Sequence, residues 1–407
     1  MPIISRPCRV AVLALLATSA GANAGDTYQL AFELRLQAGK PRAEAAIELK
    51  QKSALLREAR FRAPASRFTS FSGDGEIERD GHFVTWTPPP AGGRMTYTVD
   101  LENERNEGRF DSLITQQWAL FRADDAFPPA RVRHRAGARS RSTLKVSSPQ
   151  GWTVITPFAE RPAGGYVVDN PDRAFDRPTG WLIAGKLGRR KDMIGGIDVS
   201  VAAPVGTGVE RISMLALLRW TLPYLARELA ELPPRISIVS AGDPMWRGGL
   251  SAPNSVFVHA DRPLLSENAT STLLHEVVHV LMPVPTRRDH DWIDEGIAEY
   301  ATLRLLRDSN TISAKRFDKA LAGFAERGEA AETLLTPAAS GAVRARAVTI
   351  IAALDAEIEK LTDGSKNIFD LVRAVQAADE PLDADALRAR TLDLTGAKEI
   401  SSLEAAD

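Results

Sequence analysis

Two short stretches constrain this chain more than any other part of it: residues 275–279, His-Glu-Val-Val-His, and residues 292–296, Trp-Ile-Asp-Glu-Gly. Residues four apart lie about 40° from each other around an α-helix, so a helix over the first stretch turns His275 and His279 to the same face. Both imidazoles can then bind one metal ion, with Glu276 beside it. The pattern therefore requires a histidine-bearing helix and a second element that brings a further ligand.

The second stretch offers that ligand. Glu295 and Glu299 lie one turn apart on the same predicted helix, so either carboxylate can face the metal. We predict Glu295 as the third ligand, because Gly296 after it is expected where the two ligand-bearing helices approach closely. Glu299 is then the acid that orients a ligand histidine. Three protein ligands and an open position are typical of catalytic zinc.

The alternative is a buried helix that happens to carry two histidines. Its neighbours are almost all apolar, as Leu273, Leu274, Val277 and Val278 show. Burying two imidazoles and a carboxylate among such residues is costly unless something satisfies them. A zinc ion does so, and the sequence therefore favours a metal site.

The first 24 residues have the pattern of a secretory signal peptide. Arg6 and Arg9 precede the apolar run 10–16, and Ala22-Asn23-Ala24 is a small-residue cleavage site. The apolar run is too short to span a membrane. Removal of residues 1–24 changes the formal net charge from −1 to −3. A chain with so little net charge is not expected to bind nucleic acid through electrostatic attraction. The sequence thus predicts a periplasmic or secreted protein.

Residues 25–205 and 206–407 differ in their hydrophobic period. In the first segment, short alternating runs such as Leu30, Phe32, Leu34 and Leu36 are separated by glycine and proline, which predicts an antiparallel β-sandwich. The second segment is mainly helical. Its predicted helices cover Val209–Leu232, a start near Ser266 or Asn268 up to Pro283, Trp292–Arg307, Lys315–Arg327, Val343–Lys360, Asn367–Ala377 and Asp383–Leu394.

The two metal-site stretches resemble those of gluzincin metallopeptidases, in particular the branch of aminopeptidase N and the glycyl aminopeptidases. Gly248-Gly249-Leu250 and Asp176-Arg177-Pro178-Thr179-Gly180 extend the resemblance along the chain. It implies a β-rich domain followed by a thermolysin-like catalytic domain, and zinc-dependent hydrolysis of peptides. It also implies that His275, His279 and Glu295 bind zinc and that Glu276 is the general base.

The chain departs from the family pattern in three places. Only 15 residues separate His279 from Glu295, fewer than is usual in that branch. Ser251 stands where aminopeptidases carry a glutamate that captures the amine of the substrate. Tyr300 is the last tyrosine, so the tyrosine that stabilises an oxyanion in the family has no counterpart downstream. Three residues could replace it, and the sequence does not choose among them: Arg344, Arg346 and His290.

These observations predict an exported zinc metallopeptidase whose peptide or protein substrate pairs with an edge strand, Ser255–His259. A catalytically impaired zinc-binding module or scaffold is the competing hypothesis, and hydrolysis of a non-peptide amide or ester is a third. An intact Glu276 favours hydrolysis, because structural zinc needs no neighbouring base.

Overall fold

The computed structural model describes residues 27–169, 173–378 and 380–406. The predicted signal peptide lies outside these residues and stays a prediction. Within them the chain folds into four β-sheets and eight α-helices. None of the described helices has both the length and the apolar character that crossing a membrane requires.

The β-rich part of the chain extends from Thr27 to Gly185. Its described residues form β1 Thr27–Arg35, β2 Arg42–Lys50, β3 Leu56–Arg62, β4 Phe68–Gly73, β5 Glu76–Asp80, β6 Phe83–Thr87, β7 Gly92–Asp100, β8 Asn103–Asn106, β9 Arg109–Ile114, β10 Trp118–Arg122, the short helix α1 Ala123–Ala126, β11 Ala130–His134, β12 Arg139–Ser147, β13 Thr153–Ile155, β14 Ala159–Glu160, β15 Tyr166–Val168 and β16 Trp181–Gly185.

These strands form three sheets rather than the two of a simple sandwich. Their strand orders are β14-β15-β12-β1-β2-β7-β4, β13-β16-β10-β9-β8 and β11-β3-β6-β5. Neighbouring strands are antiparallel except for β1 and β12, which run parallel with Thr27 opposite Arg139. The alternating pattern predicted strands correctly but could not show which strands pair.

One apolar core lies between the three sheets. Leu30, Phe32 and Leu34 on β1 point into it and are at most 2% exposed, while the residues between them are partly or fully accessible. Each such side chain contributes about 1.5–3 kcal/mol relative to an exposed one. The alternation predicted for this strand is therefore confirmed.

The second part of the chain begins at Leu187 and combines one sheet with seven helices among its described residues. Its elements are β17 Leu187–Ile194, β18 Ile197–Pro204, α2 Arg211–Ala226, β19 Arg235–Ala241, β20 Gly249–Ala252, β21 Ser255–His259, α3 Thr272–Leu281, α4 Asp291–Asp308, α5 Ala314–Gly328, α6 Gly341–Leu361, α7 Ile368–Ala378, α8 Ala384–Thr395 and the 3-10 turn Ser401–Ala406.

The sheet of this part has the strand order β17-β18-β19-β21-β20. Strands β17 and β18 therefore belong with β19, although the sequence-based division at residue 205 groups them with the strands before them. Apolar and polar residues alternate in these two strands much as they do in the preceding ones. The hydrophobic pattern alone therefore does not show that the chain enters a different sheet at β17.

The two parts meet at a small apolar cluster behind β20 and β21. The rings of Trp181 and Phe257 lie 5.3 Å apart, and Leu120, Ile183 and Val239 complete the contact. The indole N–H of Trp181 donates a hydrogen bond to the carbonyl oxygen of Leu250 on β20 at 3.0 Å. The β-rich part thus fixes the position of β20.

Candidate metal centre

Helix α3 places three polar side chains on a buried face. The hydroxyl of Ser271 caps its start by accepting a hydrogen bond from the amide of Leu274 at 3.4 Å, which satisfies an otherwise unpaired N–H group. The rings of His275 and His279 lie one turn apart, nearly perpendicular, with their Nε2 atoms 3.1 Å from each other. The one-turn spacing therefore brings both imidazoles to one point.

Glu295 from α4 completes the group, named here the ligand triad with His275 and His279. Its Oε2 lies 3.4 Å from His275 Nε2, and its Oε1 lies 3.4 Å from His279 Nε2. Ligands bound to zinc at about 2.0–2.2 Å in tetrahedral geometry are roughly 3.3 Å apart. The donor types and separations of the triad therefore fit zinc, with one coordination position left for a small molecule.

A carboxylate stands behind each ligand histidine. Oε2 of Glu299 lies 3.0 Å from Nδ1 of His275, and Oδ2 of Asp294 lies 3.2 Å from Nδ1 of His279. Such partners fix the ring orientation and leave Nε2 free for the metal. Glu299 thus lies beside His275, and its role as the acid that orients a ligand histidine stays a prediction. Asp294 was missed, although its place immediately before Glu295 put it on the same helix beside the ligand.

The electrostatics of the centre couple these groups strongly. Burial alone would lower the pKa of His275, but Glu295 and Glu299 outweigh it and raise the pKa to about 9. Burial opposes the charge on Glu295 too, yet the two imidazoles hold the pKa of this carboxyl well below its usual range. The Glu295 carboxylate is therefore held ionised at neutral pH, as metal binding requires, whereas the imidazole of His275 must release its proton when a metal ion binds.

Glu276 lies beside the triad against β20. Burial raises the pKa of its carboxyl, while the neighbouring imidazoles of His275 and His279 and, to a smaller extent, the main-chain N–H of Ser251 act to lower it. A Cβ atom at Gly249 would lie 2.7 Å from Cγ of Glu276 and 2.6 Å from Cγ2 of Thr272. Glycine is therefore needed where this side chain packs on the strand, and the raised pKa suits a group that accepts a proton.

The edge strand next to this site is β20, and the prediction of Ser255–His259 as the edge was wrong. Strand β21 lies between β19 and β20 and pairs with both. The N–H of His259 donates to the carbonyl oxygen of Gly248 at 2.9 Å, and the alternation of hydrogen bonds along the pair then turns the main-chain groups of Gly249 and Ser251 away from β21. Two short strands joined by a tight turn do not reveal which of them is outermost.

The three candidate oxyanion groups lie in different places. Nη1 of Arg344, near the start of α6, is 3.3 Å from Oε2 of Glu295. Arg346 instead donates to the carbonyl oxygen of Ala331 at 3.1 Å. The structure therefore brings Arg344 to the ligand triad and directs Arg346 elsewhere.

The third candidate, His290, and the last tyrosine of the sequence, Tyr300, are both engaged away from the triad. His290 precedes α4, and its Nδ1 lies 3.0 Å from the carbonyl oxygen of Arg288. The hydroxyl of Tyr300 donates to Asp355 at 2.6 Å, in a buried network that also includes Arg304. Tyr300 thus stabilises the contact between α4 and α6.

Gly296 is small for a reason other than the predicted one. A Cβ atom there would lie 3.0 Å from Cβ of Ala347 and 3.1 Å from Cγ1 of Ile351, both on α6. The close approach expected between the two ligand-bearing helices is therefore an approach of α4 to α6. This packing places the start of α6, with Arg344, beside Glu295.

A second group of possible metal ligands consists of Asp243, His259 and Asp261. Asp243 makes ion pairs with Arg247 and Arg109, so two guanidinium groups compete with any cation for its oxygens. Burial lowers the pKa of His259, and its Nε2 lies 3.3 Å from Asp243. This group is explained by ion pairing between β9 and the ends of β19 and β21.

A cleft of about 860 Å³ opens beside the ligand triad. It is bounded by β20, the end of α3, the loop after α3, α7 and the segment after α2. Its lining residues include Ser251, His279, Asp294, Val280, Leu281, Pro283, Val284, Pro285, Glu231, Arg373 and Gln376. The wall combines apolar side chains with an almost equal share of polar groups, and a cleft of this size can bind a small molecule or peptide.

No family model and no curated protein matches this chain. Solved structures do. An aminopeptidase N family protein from Idiomarina loihiensis superposes with a TM-score of 0.66 at 14% identity, covering 86% of this chain and 70% of that one. Leukotriene A4 hydrolase from Saccharomyces cerevisiae gives 0.58 at 15% identity, over 94% of this chain and 66% of the yeast protein.

Aminopeptidase A from Legionella pneumophila, solved in complex with aspartic acid, gives a TM-score of 0.55 at 13% identity. The match covers 91% of this chain but 48% of the Legionella protein, so this chain spans about half of that length. At such identities the likeness shows the fold. This chain therefore shares its fold with these three proteins.

Proposed function

We propose that this chain is an exported zinc-dependent metallopeptidase, acting in the periplasm or outside the cell after removal of residues 1–24. The observation that carries the proposal is the ligand triad with Glu276 one residue from His275. The two imidazole Nε2 atoms lie 3.1 Å apart, and each lies 3.4 Å from one of the two carboxylate oxygens of Glu295, separations that suit the ligands of one zinc ion. A structural zinc site has four protein ligands and needs no buried base, so this arrangement favours catalysis.

His275, His279 and Glu295 would hold the zinc, with Glu299 and Asp294 fixing the two rings. When bound, zinc supplies a Lewis acid that makes water more acidic and polarises a carbonyl group. Glu276 accepts a proton from the attacking water and passes it to the departing nitrogen. A C–O bond forms and the C–N bond breaks, giving a carboxylate and an amine.

Strand β20 is suited to align an extended peptide. It is the last strand of its sheet, and its outward main-chain groups lie beside Glu276. Peptides commonly bind an exposed sheet edge through main-chain hydrogen bonds. The fixed position of β20, held by Trp181, would place the bond to be cut next to the base.

The polar groups around the cleft favour cleavage within a chain over removal of one terminal residue. Capture of a free ammonium group needs a carboxylate without another partner. Beside the ligand triad, Asp294 and Glu299 face the two histidines, Glu276 packs against β20, and Ser251 offers only a hydroxyl, while the other carboxylate of the cleft, Glu231, lies in the segment after α2. We therefore propose an endopeptidase or a peptidase that accepts amino-blocked substrates.

The test uses the purified chain with a peptide library in free and amino-acetylated forms. We expect about one zinc per chain, cleavage of both forms at similar rates, and loss of cleavage with a chelator that added zinc reverses. Mass spectrometry of the products identifies the cleaved bonds. Stoichiometric zinc without turnover would point to the zinc-binding module instead, and cleavage of free peptides alone would overturn the substrate class.

A further inference from the structure

We propose that Arg344 is a catalytic residue that stabilises the negative charge formed on the oxygen of the scissile carbonyl, an inference that rests on the proposed peptidase function. The centre is rich in acids: Glu276, Glu295, Glu299 and Asp294 surround the two imidazoles. Adding water to a carbonyl places further negative charge there. A cation beside the ligand triad offsets it.

Arg344 is in the position to do this. Its Nη1 lies 3.3 Å from Oε2 of Glu295, and that oxygen lies 3.4 Å from Nε2 of His275. The guanidinium therefore borders the place where a metal and a substrate oxygen would sit. Its side chain is 39% exposed, so a substrate can reach it.

The guanidinium has donors to spare for this contact. Arginine carries five N–H groups in a planar fork, and among the described residues Arg344 uses Nη1 toward Glu295. One edge can stay with the ligand carboxylate while another nitrogen donates to the substrate oxygen. Helix packing fixes the backbone position of Arg344, because Gly296 lets the backbone of α6 lie close to α4.

Other cations near the centre are committed elsewhere. Arg346 donates to the Ala331 carbonyl oxygen, and Arg373 at the cleft pairs with Asp370. His290 is held by a main-chain oxygen outside the triad. Of the positively charged side chains in the described part of the chain, Arg344 is thus the one in contact with a residue of the triad.

The test compares Arg344→Gln and Arg344→Lys with Arg346→Gln, which removes the same charge two residues along the same helix. Removing one donor to a developing oxyanion typically lowers kcat by about 10²–10³-fold. We expect that loss for R344Q, with KM little changed, partial recovery for R344K and nearly full activity for R346Q. Thermal melting checks that each variant folds.

A second readout separates contact with the oxyanion from mere support of Glu295. A phosphinic peptide carries a tetrahedral anionic group like the reacting centre, and its binding to zinc-loaded protein is measured by calorimetry. We expect R344Q to weaken this binding by about the factor lost in kcat. Zinc affinity, measured by chelator competition, is expected to stay within about threefold of the wild type.

Unchanged kcat and unchanged phosphinic-peptide binding in R344Q would overturn the inference. So would a loss that saturating zinc fully restores, because Arg344 would then act only through Glu295. A wild-type chain that cleaves nothing would sink the proposed function, while binding of the phosphinic peptide would still decide the role of Arg344.

Discussion

Replacing Glu276 by glutamine is expected to lower turnover by about 10²–10⁴-fold while the chain keeps its zinc, since an amide cannot accept the proton of the attacking water. The substitution preserves the shape of the side chain, and the Ser251 amide can still donate to the carboxamide oxygen. The packing against Gly249 is also retained. Steady-state kinetics on a cleaved peptide, with zinc content measured on the same sample, checks the result.

The matched control is Glu326→Gln, the same chemical change at an exposed position of α5. We expect E326Q to retain wild-type turnover. If E276Q retained it too, the proton transfer would have to be assigned to another group and the proposed mechanism would be wrong.

The second large effect is expected at the metal itself: His275→Ala should lose most of its zinc and all measurable turnover. The change removes one of three ligands and leaves the Glu299 carboxylate buried without its imidazole. Zinc bound per chain, measured by elemental analysis after dialysis, gives the readout. Melting curves show whether the variant remains folded.

Asp294→Asn provides a graded comparison, because it leaves all three ligands in place and weakens only the support of His279. Loss of such a partner typically costs about 10–100-fold in metal affinity or activity. Excess zinc should therefore restore D294N but not H275A. Wild-type zinc affinity in H275A would rule out the ligand triad.

The side chains of the candidate site whose proximity could be predicted from the sequence are those placed by local geometry. His275, Glu276 and His279 share one helix, where a one-turn spacing determines which side chains meet. The helix predicted over Trp292–Arg307 is observed as Asp291–Asp308, so the positions of Glu295 and Glu299 on it were within reach. The helical period, together with the spacing of the histidines and glutamates along each helix, was enough to predict which side chains share a face.

The first residue of the histidine-bearing helix was predicted wrongly, because several residues near it could cap the helix. The histidine-bearing helix was expected to begin near Ser266 or Asn268, yet it begins at Thr272 with Ser271 as its cap. Several residues between 266 and 271 are good caps, and the sequence does not rank them. Ala269, at φ 59°, belongs to a turn that precedes the helix.

What the sequence could not supply depends on contacts between distant segments. The parallel pairing of β1 with β12, the place of β17 and β18, and the outer position of β20 follow from packing. The choice of Arg344 among three candidates needed the approach of α6 to Gly296. A linear pattern states which side of a strand is apolar, but not which partner covers it.

The hydrogen bond from Trp181 to Leu250 has a consequence for dissecting this protein. Trp181, in the β-rich part, makes two hydrogen bonds to the pair β20 and β21: its indole N–H donates to the carbonyl oxygen of Leu250, and its main-chain N–H donates to the hydroxyl of Ser255. The strand proposed to align a substrate is therefore held from the other part of the chain. A fragment restricted to the second part of the chain would keep the ligand triad and β20 but lose the two contacts from Trp181 that hold β20 and β21 in place. We therefore expect such a fragment to keep its affinity for a metal ion and to lose the productive alignment of a substrate.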